Sequence, residues 1–153
     1  MGIKITDRLT AEGRKLNAEL AKFSHLQCRV GFQEGKAQEE DGTDIASIAM
    51  WNELGTDTIP ARPFMADSVD KHGSELRKFC KERLKRFAEG KEDAETILQL
   101  CGNYQVAAIQ KEIVNGQFAE NAPSTIRKKG SDKPLIDTGR MRQSVHFVIT
   151  SKT

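Results

Sequence analysis

Cysteine is scarce and odd in number: Cys28, Cys80 and Cys101 stand far apart in 153 residues. No C-x-x-C pair occurs and no Cys/His cluster has zinc-site spacing, which argues against a disulfide scaffold or a structural metal. The plain expectation is an intracellular protein that keeps reduced thiols in apolar faces. Aromatic residues are only 6% of the chain, with one Trp and one Tyr, so there is no stacking platform for single-stranded nucleic acid. No uncharged run approaches the ~18–20 residues of a membrane-spanning helix. The start, Met1 to Asp7, carries no apolar signal region. Neither a membrane nor export is expected. The three histidines, His25, His72 and His146, are scattered and form no ligand signature.

What is present suits one modest core. Hydrophobic residues make up 37% and charged residues 30%, within the range of a single globular domain spanning 1–153. The net charge of +2 hides an asymmetry. Residues 1–60 hold 7 Lys+Arg against 10 Asp+Glu, a net of −3, and residues 61–153 hold 17 against 12, a net of +5. Most of the basic excess lies in Lys71–Lys91 and Arg127–Arg142. Such polarity suits an acidic partner or passing DNA. It also suits ordinary solvated helix faces.

Periodicity divides the chain. Leu9, Leu16, Leu20 and Phe23 mark an amphipathic helix over Asp7–Ser24, with Asp7 as its N-cap. Leu26, Cys28, Val30 and Phe32 then alternate with Gln27 and Arg29, the pattern of a half-buried strand. Residues 33–42 are polar and glycine-punctuated, hence a mobile loop. A short helix follows from Thr43 or Asp44 to Leu54, with Gly55 at its end. Pro63 opens a long helix with a stripe of Met65, Val69, Leu76, Phe79, Cys80, Leu84 and Phe87. Another helix spans Asp93 to Asn115. Residues 117–134 read as a second mobile loop, and Val145, Phe147 and Ile149 as a final strand. The order predicts an α+β domain, a small mixed or antiparallel sheet packed against several helices. Further strands are expected, if anywhere, at Gly55–Ile59 or in the C-terminal loop.

Candidate chemistry is thin. Asp137-Thr138-Gly139 matches the catalytic triplet of aspartic proteases, where two carboxylates share a proton. Only 14 residues follow Gly139, too few for the strands and flap that chemistry requires, and Arg140-Met141-Arg142 places cations where small apolar residues belong. A short helical turn before the last strand, capped by Asp137 or Thr138, explains the triplet instead. Gly31 to Ala37 lacks the spacing and the hydroxyl of a phosphate loop. No catalytic set, cofactor or metal is expected.

Two segments carry a resemblance. The first is Trp51-Asn52-Glu53-Leu54-Gly55-Thr56, then Ile59-Pro60-Ala61-Arg62-Pro63-Phe64-Met65. The second is Thr125 and Lys128-Lys129-Gly130, then Lys133-Pro134-Leu135-Ile136-Asp137-Thr138-Gly139-Arg140-Met141-Arg142-Gln143-Ser144. In content, order and separation they resemble the neck and tail-completion proteins of long-tailed double-stranded-DNA phages. Members are variously called minor tail, head–tail joining or virion-morphogenesis proteins. The resemblance covers Val30 to Ile149. It implies a compact α+β subunit without catalysis, in a homo-oligomeric ring, six-fold in that family, contacting other neck and tail proteins. It further implies a place in the virion, reached from the bacterial cytoplasm, with at most non-specific contact with DNA. The runner-up is a prophage-encoded DNA-binding protein.

The interface candidates are therefore Trp51, Leu54, Gly55, Pro60, Arg62, Pro63, Phe64, Pro134, Leu135, Asp137, Thr138, Gly139 and Arg140. Pro60 and Pro63 stiffen the corner between them. Arg62 then offers a paired donor to a carboxylate on the next subunit while Phe64 anchors apolar packing. The other reading makes Phe64 a core residue and Arg62 a solvated one.

Overall fold

A computed structural model describes residues 9–152. The expected helix cap at Asp7 lies outside them. Thr10 caps the first described helix, its hydroxyl accepting from Gly13 N at 3.1 Å. That helix, α1, runs Ala11–His25, and its C-terminus passes directly into strand β1, Leu26–Gly31. Helix α2, Ile45–Leu54, starts at Asp44, whose carboxylate accepts from Ser47 N, and ends at Gly55 with φ +77°.

Helix α3, Phe64–Ala88, and helix α4, Ala94–Asn115, form an antiparallel hairpin. Gly90, with φ +71°, and the Asp93 cap make the connection. Pro63 stands just outside α3, at the cap position. After α4 come α5, Pro123–Lys129, and α6, Arg140–Ser144, and then β2, His146–Ser151. The sheet is β1 against β2, antiparallel, with Cys28 opposite Ile149 and Val30 opposite Phe147.

The result is a single α+β domain, with an antiparallel sheet packed on helices. The supposed extra strands do not appear among the described residues. Thr56–Ile59 is instead a turn, closed by Thr56 N to Ile59 O at 2.8 Å and by the Thr56 hydroxyl accepting from Ile59 N. Segment 117–134 differs from its reading as a loop: Pro123 opens α5, and Gly130, at φ +69°, ends it. Loop 33–42 is laced by hydrogen bonds, Gly35 N to Asp44 Oδ1 and Glu39 N to Thr43 O, both 2.9 Å.

Two clusters hold the interior. The larger gathers Ile45 and Ala49 of α2, Phe64, Ile109 and Ile113, with Leu135, Met141 and Val145 from the C-terminal segment. The smaller joins Phe87, Ala94 and Ile97 beneath Leu16 and Phe23 of α1. Helix α4 packs against α3 on one side and the sheet on the other, so its buried set is wider than one stripe. Gly102 is buried there because a Cβ would lie 2.6 Å from the Phe147 ring. The α3 stripe is likewise corrected: Val69 and Leu84 are exposed, and Ser68 and Gly73 take buried positions.

Candidate functional site

The two distinctive segments come together around Arg62. Its side chain is 4% exposed. Nε donates to Ala119 O at 2.8 Å, and Nη1 donates to Asn52 Oδ1 at 2.9 Å. Nη2 donates to Glu120 O at 3.1 Å and to Asn121 Oδ1 at 3.2 Å. The planar fork of a guanidinium suits this task, because its donors diverge in one plane toward several fixed oxygens. Burial pulls its pKa below the ordinary value, yet arginine still holds its proton. Asn121 passes the connection on, its Nδ2 donating to Lys133 O at 3.3 Å, within the second segment. Lys129 also reaches Lys133 O, at 3.4 Å, and burial lowers its pKa.

Both sequence readings of Arg62 are thereby corrected. It is buried, and four of its five side-chain N–H donors are engaged within the chain, not held out to a carboxylate of a neighbouring subunit. Phe64 is fully buried and edge-on to Phe32, with ring centroids 6.0 Å apart, so it is core.

A second anchor comes from Glu53, which the sequence reading did not single out. Its carboxylate accepts from Met65 N at 2.9 Å and Ala66 N at 3.0 Å. Pro63 has no side-chain acceptor to cap α3, so a carboxylate borrowed from α2 does it, favoured by the positive end of the helix dipole. Together with Arg62 N donating to Asn52 O, these bonds lock α2, the corner and α3 into one body.

The late glycine turn is built differently. Gly139, at φ +80°, stands where the turn expected Asp137 or Thr138 as cap. The Thr138 hydroxyl accepts from Arg140 N at 3.2 Å and donates to Glu39 at 3.0 Å. Arg140 donates to Gln38 O at 3.2 Å and pairs with Glu40 at 3.3 Å. The turn thus clasps loop 33–42. These exposed pairs contribute little energy but fix the loop's place.

Of the thirteen candidate residues, Arg62, Phe64 and Leu135 are buried, while Gly55, Pro134, Gly139 and Arg140 are half-buried. Trp51, Leu54, Pro60, Pro63, Asp137 and Thr138 reach the surface. The outward face of α2 is apolar. Leu54 is 72% exposed, Met50 52% and Trp51 39%. Met50 was missed by sequence reasoning, although its spacing of four from Leu54 was the signal. Nearby, an open groove of about 560 Å³ is walled by Cys28, Val30, Met65, Val69 and Ile109, with Glu53 of α2 beside them. Among the described residues, no helix is long and apolar enough to cross a membrane. No family model, curated protein or solved structure matches the chain.

Proposed function

We propose that the chain is a non-enzymatic structural subunit of a tailed-phage or prophage particle. In this reading it works in a homo-oligomeric ring, six-fold by resemblance, at the neck or tail-completion interface. It is made in the bacterial cytoplasm and ends in the virion, bound to other neck and tail proteins. The observation that carries the reading is the outward apolar face of α2. Three large apolar side chains stand in solvent on a helix whose other side is tied down by Asn52, Glu53 and the Arg62 hub. A contiguous apolar face held rigid and left uncovered is the usual mark of a surface meant for another protein. The resemblance of segments 51–65 and 125–144 to neck and tail-completion proteins supplies the identity of that partner class.

The experiment is sedimentation velocity and electron microscopy of the purified chain and of Leu54→Glu. The wild type is expected to form closed rings as concentration rises, and the variant to stay monomeric with an unchanged melting midpoint. A wild type that remains monomeric at every concentration, or a variant that assembles equally well, overturns the reading.

One observation favours a second reading, a prophage-encoded DNA-binding protein. Arg77, Lys78, Lys81 and Lys85 are exposed on one side of α3 and form no ion pair with a described residue. Filter binding across a salt titration separates the two readings. A steep loss of affinity with salt marks phosphate contacts by these cations, and charge reversal at Lys81 and Lys85 should flatten it.

A further inference from the structure

The hairpin of α3 and α4 carries a pair of thiols placed face to face. Cys80 Sγ and Cys101 Sγ lie 2.9 Å apart, and both residues are half-buried. Each sits about two helical turns from the Gly90 connection, so the antiparallel packing itself sets them opposite. Their surroundings are firm. Phe79 stacks on Tyr104 at 5.2 Å just beyond the pair, and Arg83 lies over the Phe79 ring. Cys101 also packs on the Phe87–Ala94–Ile97 cluster. Cys28 lies on β1 against Gly102 and lines the same groove as Cys101.

We infer that Cys80 and Cys101 are a reversible disulfide site that staples α3 to α4 when the chain meets an oxidising medium. A disulfide needs its sulfurs about 2.05 Å apart, so less than an ångström of movement closes the pair. With oxidised glutathione as oxidant, the Cys80 thiolate attacks one of its sulfurs, forming a mixed disulfide and releasing one glutathione thiolate. The Cys101 thiol loses its proton to solvent and attacks the Cys80 sulfur, releasing the second. Two protein thiols are oxidised by two electrons, and one oxidised glutathione becomes two reduced molecules. Burial and the neighbouring Cys80 push the Cys101 thiol up to about 12, so its thiolate is scarce and its attack relies on its proximity to the Cys80 sulfur. The closed loop of about 20 residues spans the αα turn, and tying it should raise the unfolding midpoint by roughly 5–10 °C.

The inference requires no assembly partner, so it is independent of the ring reading. The full-length chain is treated with oxidised glutathione, and its free thiols, peptide map and melting midpoint are compared with the reduced form. Two thiols should disappear per chain, leaving Cys28. The map should show Cys80 joined to Cys101, and the midpoint should rise and fall back with dithiothreitol. Cys28→Ser should behave like the wild type, whereas Cys80→Ser should melt alike with and without oxidant. Three thiols persisting, stable glutathione adducts on separate cysteines, a bond involving Cys28, or an unmoved midpoint would each overturn it.

Discussion

At the scale of single residues, Arg62 shows how far a conspicuous motif residue can lie from the surface. Replacing it with Ala leaves the buried Asn121 oxygen and the part-buried oxygens of Asn52, Ala119 and Glu120 without their donor. Losing the charged donor of one buried acceptor, with part-buried ones that water can reach in its place, typically costs about 1–3 kcal/mol. Arg62→Ala should therefore lower the denaturant midpoint sharply, and Arg62→Lys should recover only part, because one ammonium cannot meet four oxygens in a fork. A variant as stable as the wild type would refute the hub. Cys101 makes a second test, of opposite pH logic. Its folded value, about 12, exceeds the ordinary 9.0, so the fold favours the protonated thiol. That contribution is fully present below about pH 9 and is lost as pH rises toward 12. Tyr104 and Lys71 are raised too and act in the same direction. Under reductant, Cys101→Ser should lose stability less steeply across this alkaline window, as denaturant titrations at several pH values would reveal.

At the scale of elements, close approach governs. Gly102 on α4 faces the sheet, and an added methyl would lie 2.6 Å from Phe147 and 2.9 Å from Cys28 Sγ. Gly102→Ala should therefore push α4 off β1 and β2 and destabilise the domain by about 1–3 kcal/mol. Calorimetry checks this, and a neutral result would mean the sheet gives way freely. The elements most legible in the sequence were those with a strong period or a clear stop. Alternation from Leu26 to Val30 and from Phe147 to Ile149 marked both strands, and Gly55 ended α2 where the chain pattern placed it. Helix α5 was illegible because Ile126 is its sole aliphatic residue, so no stripe exists. Only Pro123 at its start and Gly130 at its end signalled it. The wide burial of α4 and the exposure of Val69 could not be read from period alone, since both depend on how many neighbours surround a helix. The Arg62 hub was hidden for the same reason: its acceptors at 119–121 lie 57–59 positions away. Nothing local to the Pro60–Pro63 corner says that this arginine turns inward.

At the scale of the whole molecule, the residues left facing solvent matter more than the motifs as strings. The corner and the late turn are internal architecture. They lock α2 to α3 and clasp loop 33–42, and the apolar face of α2 is what this rigid frame presents outward. Trp51 is the only tryptophan and sits on that face, 39% exposed, which makes it a built-in reporter of the proposed assembly. As subunits associate, its indole should leave water, and its emission should shift to shorter wavelength with rising concentration while the far-ultraviolet circular dichroism stays constant. Leu54→Glu, on the same face, should abolish the concentration dependence without altering the dilute spectrum. Folding and association are separated by this design, because the Arg62 and Glu53 bonds that hold α2 in place involve neither Trp51 nor Leu54 side chains. An emission maximum that never moves, in a sample that light scattering reports as oligomeric, would place the subunit contact elsewhere on the molecule and remove the α2 face from the assembly.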